Sequence, residues 1–375
     1  MPVLTPNPTK TRSRRLNQVI RATLFVALTV ALCALFRFLL VDDVHSYTRV
    51  TLQEFYAQEG QIDTLFLGSS HCYRAFDPAQ IDAELDTHSF NLGSSQQLPD
   101  GSYYLLREAA ERNPLKTVYL EVFFAGYNQK ASSDIPLACY LMTDYMKPTS
   151  HNRYEWLWNM GGAAAMADLI FPARHSIAEP QELPALWKAK LTDGYEVGNY
   201  TYLTYPGEEE YRGRGYVYTY GVGGAPYDPI LHLNEEKPLS DYGWDCLNQI
   251  AAYCREQQIE LVLVMAPLPN AFAAHTTAYQ SYVETLRNFA ESHDVEYWDF
   301  TLYRNTALLD MQPEDFSDAH HLNGSGAQKF GAAFCQTVRD RAAGRASEDL
   351  FFDTLEEKLT TAPDGTWAAA GEENA

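Results

Sequence analysis

Asp318-Ala319-His320-His321 lies near the end of the folded part of the chain, and its residue types and spacing suit proton transfer. A carboxylate three residues before a histidine can meet the imidazole Nδ1–H, which fixes the tautomer and leaves Nε2 free as a base. Far upstream, the strand formers Asp63-Thr64-Leu65-Phe66-Leu67 end abruptly in Gly68-Ser69-Ser70-His71. A serine at the tip of a buried strand needs a base to accept its proton before it becomes a useful nucleophile. Ser70, His321 and Asp318 therefore form a candidate nucleophile, base and orienting acid. His71 is expected to point away from Ser70, and His320, only two residues from Asp318, is expected to face solvent. Two other readings stand beside this one. An Asp-x-x-His can be an incidental pair in a loop before a helix, and a second Gly-Ser-Ser at 93–95 offers Ser94 or Ser95 as nucleophile. The strand before that second motif is shorter and more polar.

The elements that must position these residues follow an alternating rhythm. Strands are expected at 63–67, 88–92, 115–124, 259–265 and 295–300, and helices at 78–85, 101–112, 240–257, 276–292 and 324–341. Near-continuous apolar strands separated by helices argue for a parallel sheet covered on both faces, an α/β fold built as a three-layer α/β/α sandwich. Residues 126–239 interrupt the rhythm with clusters such as Tyr200-Thr201-Tyr202 and Tyr216-Val217-Tyr218. They read as an insertion or cap above the sheet's carboxyl edge, where open α/β sheets bind ligands. Its tyrosines are suited to stacking on sugar rings, although most are expected to pack a small core of the insertion itself.

Residues 22–41 are almost wholly apolar, broken only by Arg37, and as a helix would span roughly 30 Å, the thickness of a bilayer's hydrocarbon core. Lys10, Arg12, Arg14, Arg15 and Arg21 precede this segment, and Asp42 and Asp43 follow it. That asymmetry predicts a cytoplasmic tail (1–21), a single-pass signal anchor (22–41) and an extracytoplasmic domain (45–342), followed by an acidic tail (343–375). A cleaved signal peptide is the alternative. No small-x-small site follows, however, and the apolar run continues past Arg37.

The chain carries a formal charge of −21. Six of its 28 basic residues and none of its 49 acidic ones lie in 1–41, so the remainder holds 22 against 49, a net −27. Such a surface repels nucleic acid. Five of the six cysteines, Cys72, Cys139, Cys246, Cys254 and Cys335, lie beyond the anchor without a C-x-x-C, a pattern of buried thiols with at most one unassigned bridge.

Taken together, the Gly68-Ser69-Ser70 block, Asn91-Leu92-Gly93, Gly126-Tyr127-Asn128 and the late Asp318/His321 pair resemble the SGNH (GDSL-type) hydrolase superfamily. The resemblance covers roughly residues 61–130 and 240–340. It implies Ser70, His321 and Asp318 as the triad, and the amides of Ser70 and Gly93 with the Asn128 side chain as the oxyanion hole. Asn128 matches its block most weakly. Ser69 stands where the family has Asp, as in a membrane-anchored, extracytoplasmic branch that works beside membrane-bound O-acyltransferases. The expectation is a serine esterase or O-acyltransferase acting on a cell-surface glycan or related polymer, with no metal or organic cofactor. The competing expectation is a non-catalytic module that presents polymer to such a partner. A thioesterase drawing on an acyl carrier fits an external location poorly.

Overall fold

The structure is a computed structural model that describes residues 8–128, 137–169, 177–223, 233 and 236–366. In chain order the first elements are α1 (Pro8–Leu40), α2 (Tyr47–Ala57), β1 (Thr64–Leu67), α3 (Ser70–Ala75), α4 (Pro78–Leu85), β2 (Ser89–Asn91), α5 (Pro99–Ala110) and β3 (Thr117–Glu121). The insertion adds α6 (Phe124–Tyr127), α7 (Leu137–Thr143), α8 (His151–Asp168), α9 (Leu183–Leu191), and the short strands β4 (Thr204–Tyr205), β5 (Glu209–Tyr211) and β6 (Val217–Thr219). The rhythm then resumes with α10 (Asp241–Gln257), β7 (Glu260–Met265), α11 (Asn270–His275), α12 (Tyr279–His293), β8 (Glu296–Asp299), α13 (Gly324–Ala342) and α14 (Leu355–Thr361).

Five strands form one sheet in the order β2-β1-β3-β7-β8, and every neighbouring pair is parallel. The period-2 alternation of strand side chains splits this core into two layers. Leu65, Leu67, Val118, Leu120, Leu261 and Leu263 face a cluster with Leu52 and Phe55 of α2, Leu105 of α5, Ile250 of α10 and Leu286 of α12. The intervening Phe66, Tyr119, Val262, Val264 and Trp298 face Cys72, Ile81, Phe330 and Phe334 from α3, α4 and α13. The result is the expected three-layer sandwich. The strand order reverses between β1 and β3, and in such sheets the crevice at the carboxyl ends there is the natural ligand site.

Three local features differ from the sequence expectation. Residues 47–57, outside the expected helices, form α2. Ser46 caps α2 by accepting the Arg49 amide, and Val50, Leu52 and Phe55 are buried. Strand β3 stops at Glu121 rather than continuing to 124. The acidic tail is packed as far as Thr366: Leu350, Phe351, Phe352 and Leu355 are buried, and Lys358 donates to Asn270 Oδ1, Thr301 O and Asp364 Oδ2. The rest of that tail lies outside the described residues.

Within the insertion, β4, β5 and β6 form a small antiparallel sheet. Tyr211 and Val217 pack with Val50 of α2 and with Tyr47, Tyr73 and Tyr200. These tyrosines build a small core, and few are left open for stacking on a ligand. Tyr220, at 42% exposure, is the exception singled out by size among the described tyrosines. This small sheet joins the main one where the Asn91 amide donates to Arg214 O. The six cysteines are not joined in disulfides, and five of them are buried.

Candidate active site

Ser70 reaches its place through a sharp turn between β1 and α3. Gly68 at the end of β1 has φ +148°, and a Cβ there would lie 2.6 Å from Glu121 Cβ, so only glycine lets the two strand ends approach. Ser69 caps α3, its hydroxyl accepting the His71 amide, and Ser70 is the first helical residue. First-turn amides of a helix lack intrahelical partners, so the Ser70 N–H is one that an incoming oxygen could use.

The Asp318/His321 loop is fixed from the other side of the crevice. Phe316 and Leu322 bridge, and the Ser317 amide donates to His321 O, closing a tight loop over 317–321. Asn323 then caps α13 by accepting the Ser325 and Gly326 amides, while its own amide donates to Gly221 O and Glu314 O. From this loop, His321 Nε2 lies 2.7 Å from Ser70 Oγ. His321 Nδ1 lies 2.8 Å from Asp318 Oδ2. The other Asp318 oxygen accepts the amides of His320 and His321 at 3.0 and 2.9 Å. Partial burial pushes the Asp318 carboxyl up, but the hydrogen bond and charge of His321, joined by these two amides, outweigh it and hold the carboxyl well below its ordinary range.

The ring of His320 is not where the sequence suggested. His71 is buried, stacked on Phe123 at 3.7 Å and on the His321 ring at 4.4 Å. His320 lies among Phe123, Phe272 and His71 instead of facing solvent, with its Nδ1 3.1 Å from His71 Nε2. Burial first, then the repulsion that a charge on its ring would meet from the neighbouring His321 and His320, pushes His71 far below its usual value, so it stays neutral. Three histidine nitrogens thus come within 4.8 Å of one another. Of the three histidines, His321 directs both its nitrogens to Ser70 and Asp318, and its ring stacks on His71.

Residues that sequence reasoning passed over complete the frame. Glu121 accepts the amide of Ser69 at 3.0 Å, its hydroxyl at 2.9 Å, and the amide of Phe123. Burial raises its carboxyl to about 7, even though those donors act against the rise. The available signal was a charged residue ending the otherwise uncharged run Thr-Val-Tyr-Leu-Glu of a core strand. Arg74, one turn beyond Ser70, lies 4.0 Å from Asp318 and 3.7 Å from Glu209 of the insertion.

The expected oxyanion donors are arranged less simply. The Gly93 amide donates to Asn91 Oδ1 at 2.9 Å, and a Cβ on Gly93 would meet Cys72 Cβ at 2.9 Å. Asn91 also donates to the Cys72 and Phe76 carbonyls, so this loop is bolted to α3. Gly93 is therefore required for close packing, and its N–H is spoken for in this structure. Asn128 follows α6, and its side-chain nitrogen is buried with no acceptor among the described residues. Of the competing serines, Ser94 is buried and donates to Gln97, and Ser95 is exposed on the loop surface.

A protein-family model matches residues 231–343, the stretch that carries α10 to α13. No curated protein matches the sequence. Among solved structures the chain is similar to a GDSL-like lipase from Bacteroides thetaiotaomicron, with 10% identity and a TM-score of 0.35 over 80% of this chain and 100% of that one. It is also similar to a candidate acylhydrolase from Bacteroides fragilis, with 9% identity and a TM-score of 0.32 over 76% of this chain and 92% of that one. Likenesses this distant assign no roles to residues, which rest on the distances above.

Proposed function

We propose that the chain is a serine esterase or O-acyltransferase that works through an acyl-enzyme on Ser70. The observation that carries this reading is the continuous path Ser70 Oγ to His321 Nε2 to Asp318, each contact within hydrogen-bond reach. In the first half-reaction Ser70 Oγ attacks the acyl carbonyl while its proton passes to His321 Nε2. Asp318 holds the ring's tautomer and stabilises the imidazolium. The tetrahedral oxyanion is met by the Ser70 amide, and by the Asn128 amide and the Gly93 amide if the latter leaves Asn91. Collapse expels the alcohol, which takes its proton from His321. Water or a sugar hydroxyl, deprotonated by the same imidazole, then releases the acyl group.

The apolar helix α1, long enough to cross a membrane, supports a membrane-anchored enzyme. The basic residues ahead of it support placing the catalytic domain outside the cytoplasm. On that reading the acceptor is a cell-surface glycan or related polymer, and a membrane-bound O-acyltransferase is the natural source of acyl groups. Turnover of p-nitrophenyl acetate by the detergent-solubilised full-length chain tests the reading. A burst of p-nitrophenol stoichiometric with enzyme, lost in Ser70→Ala, supports it. A folded chain that neither bursts nor turns over points instead to a non-catalytic polymer-presenting module.

A further inference from the structure

The insertion is fastened to the end of the apolar helix, not only to the catalytic domain. The last carbonyls of an α-helix have no intrahelical donors and must be met by other groups. Here Lys190 Nζ, with its side chain fully buried, donates to Phe38 O at 2.8 Å and also to Val41 O, and pairs with Asp43 at 3.0 Å. Trp187 Nε1 donates to Leu39 O at 2.7 Å, and the Ala178 amide to Leu40 O at 2.9 Å. Val41 and Ile177 form an antiparallel bridge. Yet the outer side of the same segment is apolar and open: Ile177 is 57% exposed, Leu191 74% and Trp187 37%.

The membrane-crossing candidate runs Arg15–Leu40, 26 residues. At about 1.5 Å per residue that is about 39 Å, longer than a hydrocarbon core of about 30 Å and close to a headgroup-to-headgroup distance. Its carboxyl end therefore lies at the interface, and whatever is hydrogen-bonded to that end lies there too. A tryptophan with a satisfied N–H beside exposed aliphatic side chains is suited to this depth.

We propose that residues 177–191 form a second membrane contact, with α9 lying in the lipid interface and Ile177, Trp187 and Leu191 entering the boundary between headgroups and acyl chains. The proposal rests on α1 spanning the bilayer and not on the catalytic reading. In sequence Glu179, Glu182, Asp193 and Glu196 flank the patch and outnumber the one exposed cation within it, Lys188, so the contact is apolar rather than an attraction to anionic lipid. Its consequence is orientation. The chain leaving α1 shares a cavity of about 240 Å³ with the loop after β2, between His45, Ser46 and Tyr47 on one side and Gly93 and Ser94 on the other. Helix α2 then runs back to the amino edge of the sheet, where Gly60 donates to Arg112 O. A domain held at two points is thereby fixed with the carboxyl edge, and Ser70, toward the bilayer.

The test uses the full-length chain in phosphatidylcholine vesicles, with Cys33→Ser as background and an environment-sensitive thiol fluorophore at one position at a time. Leu191→Cys reports the proposed contact, Phe25→Cys the middle of the anchor, and Glu256→Cys, exposed at the amino edge, the water reference. The expected result is blue-shifted emission and quenching by nitroxide lipids at 191 and at 25, with the shallow quencher more effective at 191, and neither effect at 256. A label at 191 that behaves like the one at 256 overturns the second contact while 25 still reports an inserted anchor. Labels at 25 and 191 that both report water overturn the anchor and the contact together.

Discussion

Glu121 accepts both the amide and the hydroxyl of Ser69, the residue directly before Ser70. That clamp ties the carboxyl ends of β1 and β3 together at the point where the strand order reverses, and so sets where the Ser70 hydroxyl can be. Its carboxyl is raised to about 7 from 4.5, chiefly by burial. A raised carboxyl contributes stability that is fully present below pH 4.5 and is lost as pH rises through about 7. Glu121→Gln removes that titration. The parent should lose up to about 3 kcal/mol of stability across this window that the variant does not lose, read as the difference between their melting temperatures from pH 4.5 to 8.

Gly68 sits against the same carboxylate. Gly68→Ala places a methyl group 2.6 Å from Glu121 Cβ at a φ of +148°. The expected cost is about 1–3 kcal/mol of stability, accompanied by slower esterase turnover as the turn before Ser70 shifts. Chemical denaturation and steady-state kinetics on the one variant check both.

In the proposed mechanism Asp318 holds the base without itself taking a proton. Asp318→Asn preserves the side chain's shape but replaces an acceptor with a donor toward the ring, favouring the wrong tautomer. Turnover should fall by about 10⁴-fold with little change in KM. A drop confined to KM would show that Asp318 serves binding instead.

His320 and His321 are adjacent, and only the second meets Ser70. His320→Ala should retain most of the esterase rate, its loss being of ring packing against Phe123 and Phe272. His321→Ala should lose it. Paired rates measured on protein of equal thermal stability separate base from neighbour.

The layers and the order of the alternating elements were legible because strand and helix periods are strong where the core is continuous, as in Ile259–Met265 and Ser240–Gln257. The serine and the Asp-x-x-His were legible because each sits at an element boundary. Glu121 was not, since a charge ending a core strand does not by itself tell a carboxylate in solvent from one that receives the amide and hydroxyl of Ser69 on another loop. The position of His320 was not legible either, nor was the stacking of His71 on Phe123 and His321, because both depend on tertiary packing that the local sequence does not show. For Gly93, the motif indicates a close backbone approach but not which acceptor, Asn91 or a substrate oxygen, takes its N–H. Helix α2 was missed because its buried face, Val50, Leu52 and Phe55, is completed by the insertion and by the distant strand residue Phe90.

The most direct measurement is covalent labelling of the full-length chain by a fluorophosphonate, followed by peptide mapping. The expected result is a single adduct on Ser70, absent in Ser70→Ala and strongly slowed in His321→Ala. An adduct on Ser94 or Ser95, or none on a folded chain, would contradict a nucleophile built from Ser70, His321 and Asp318.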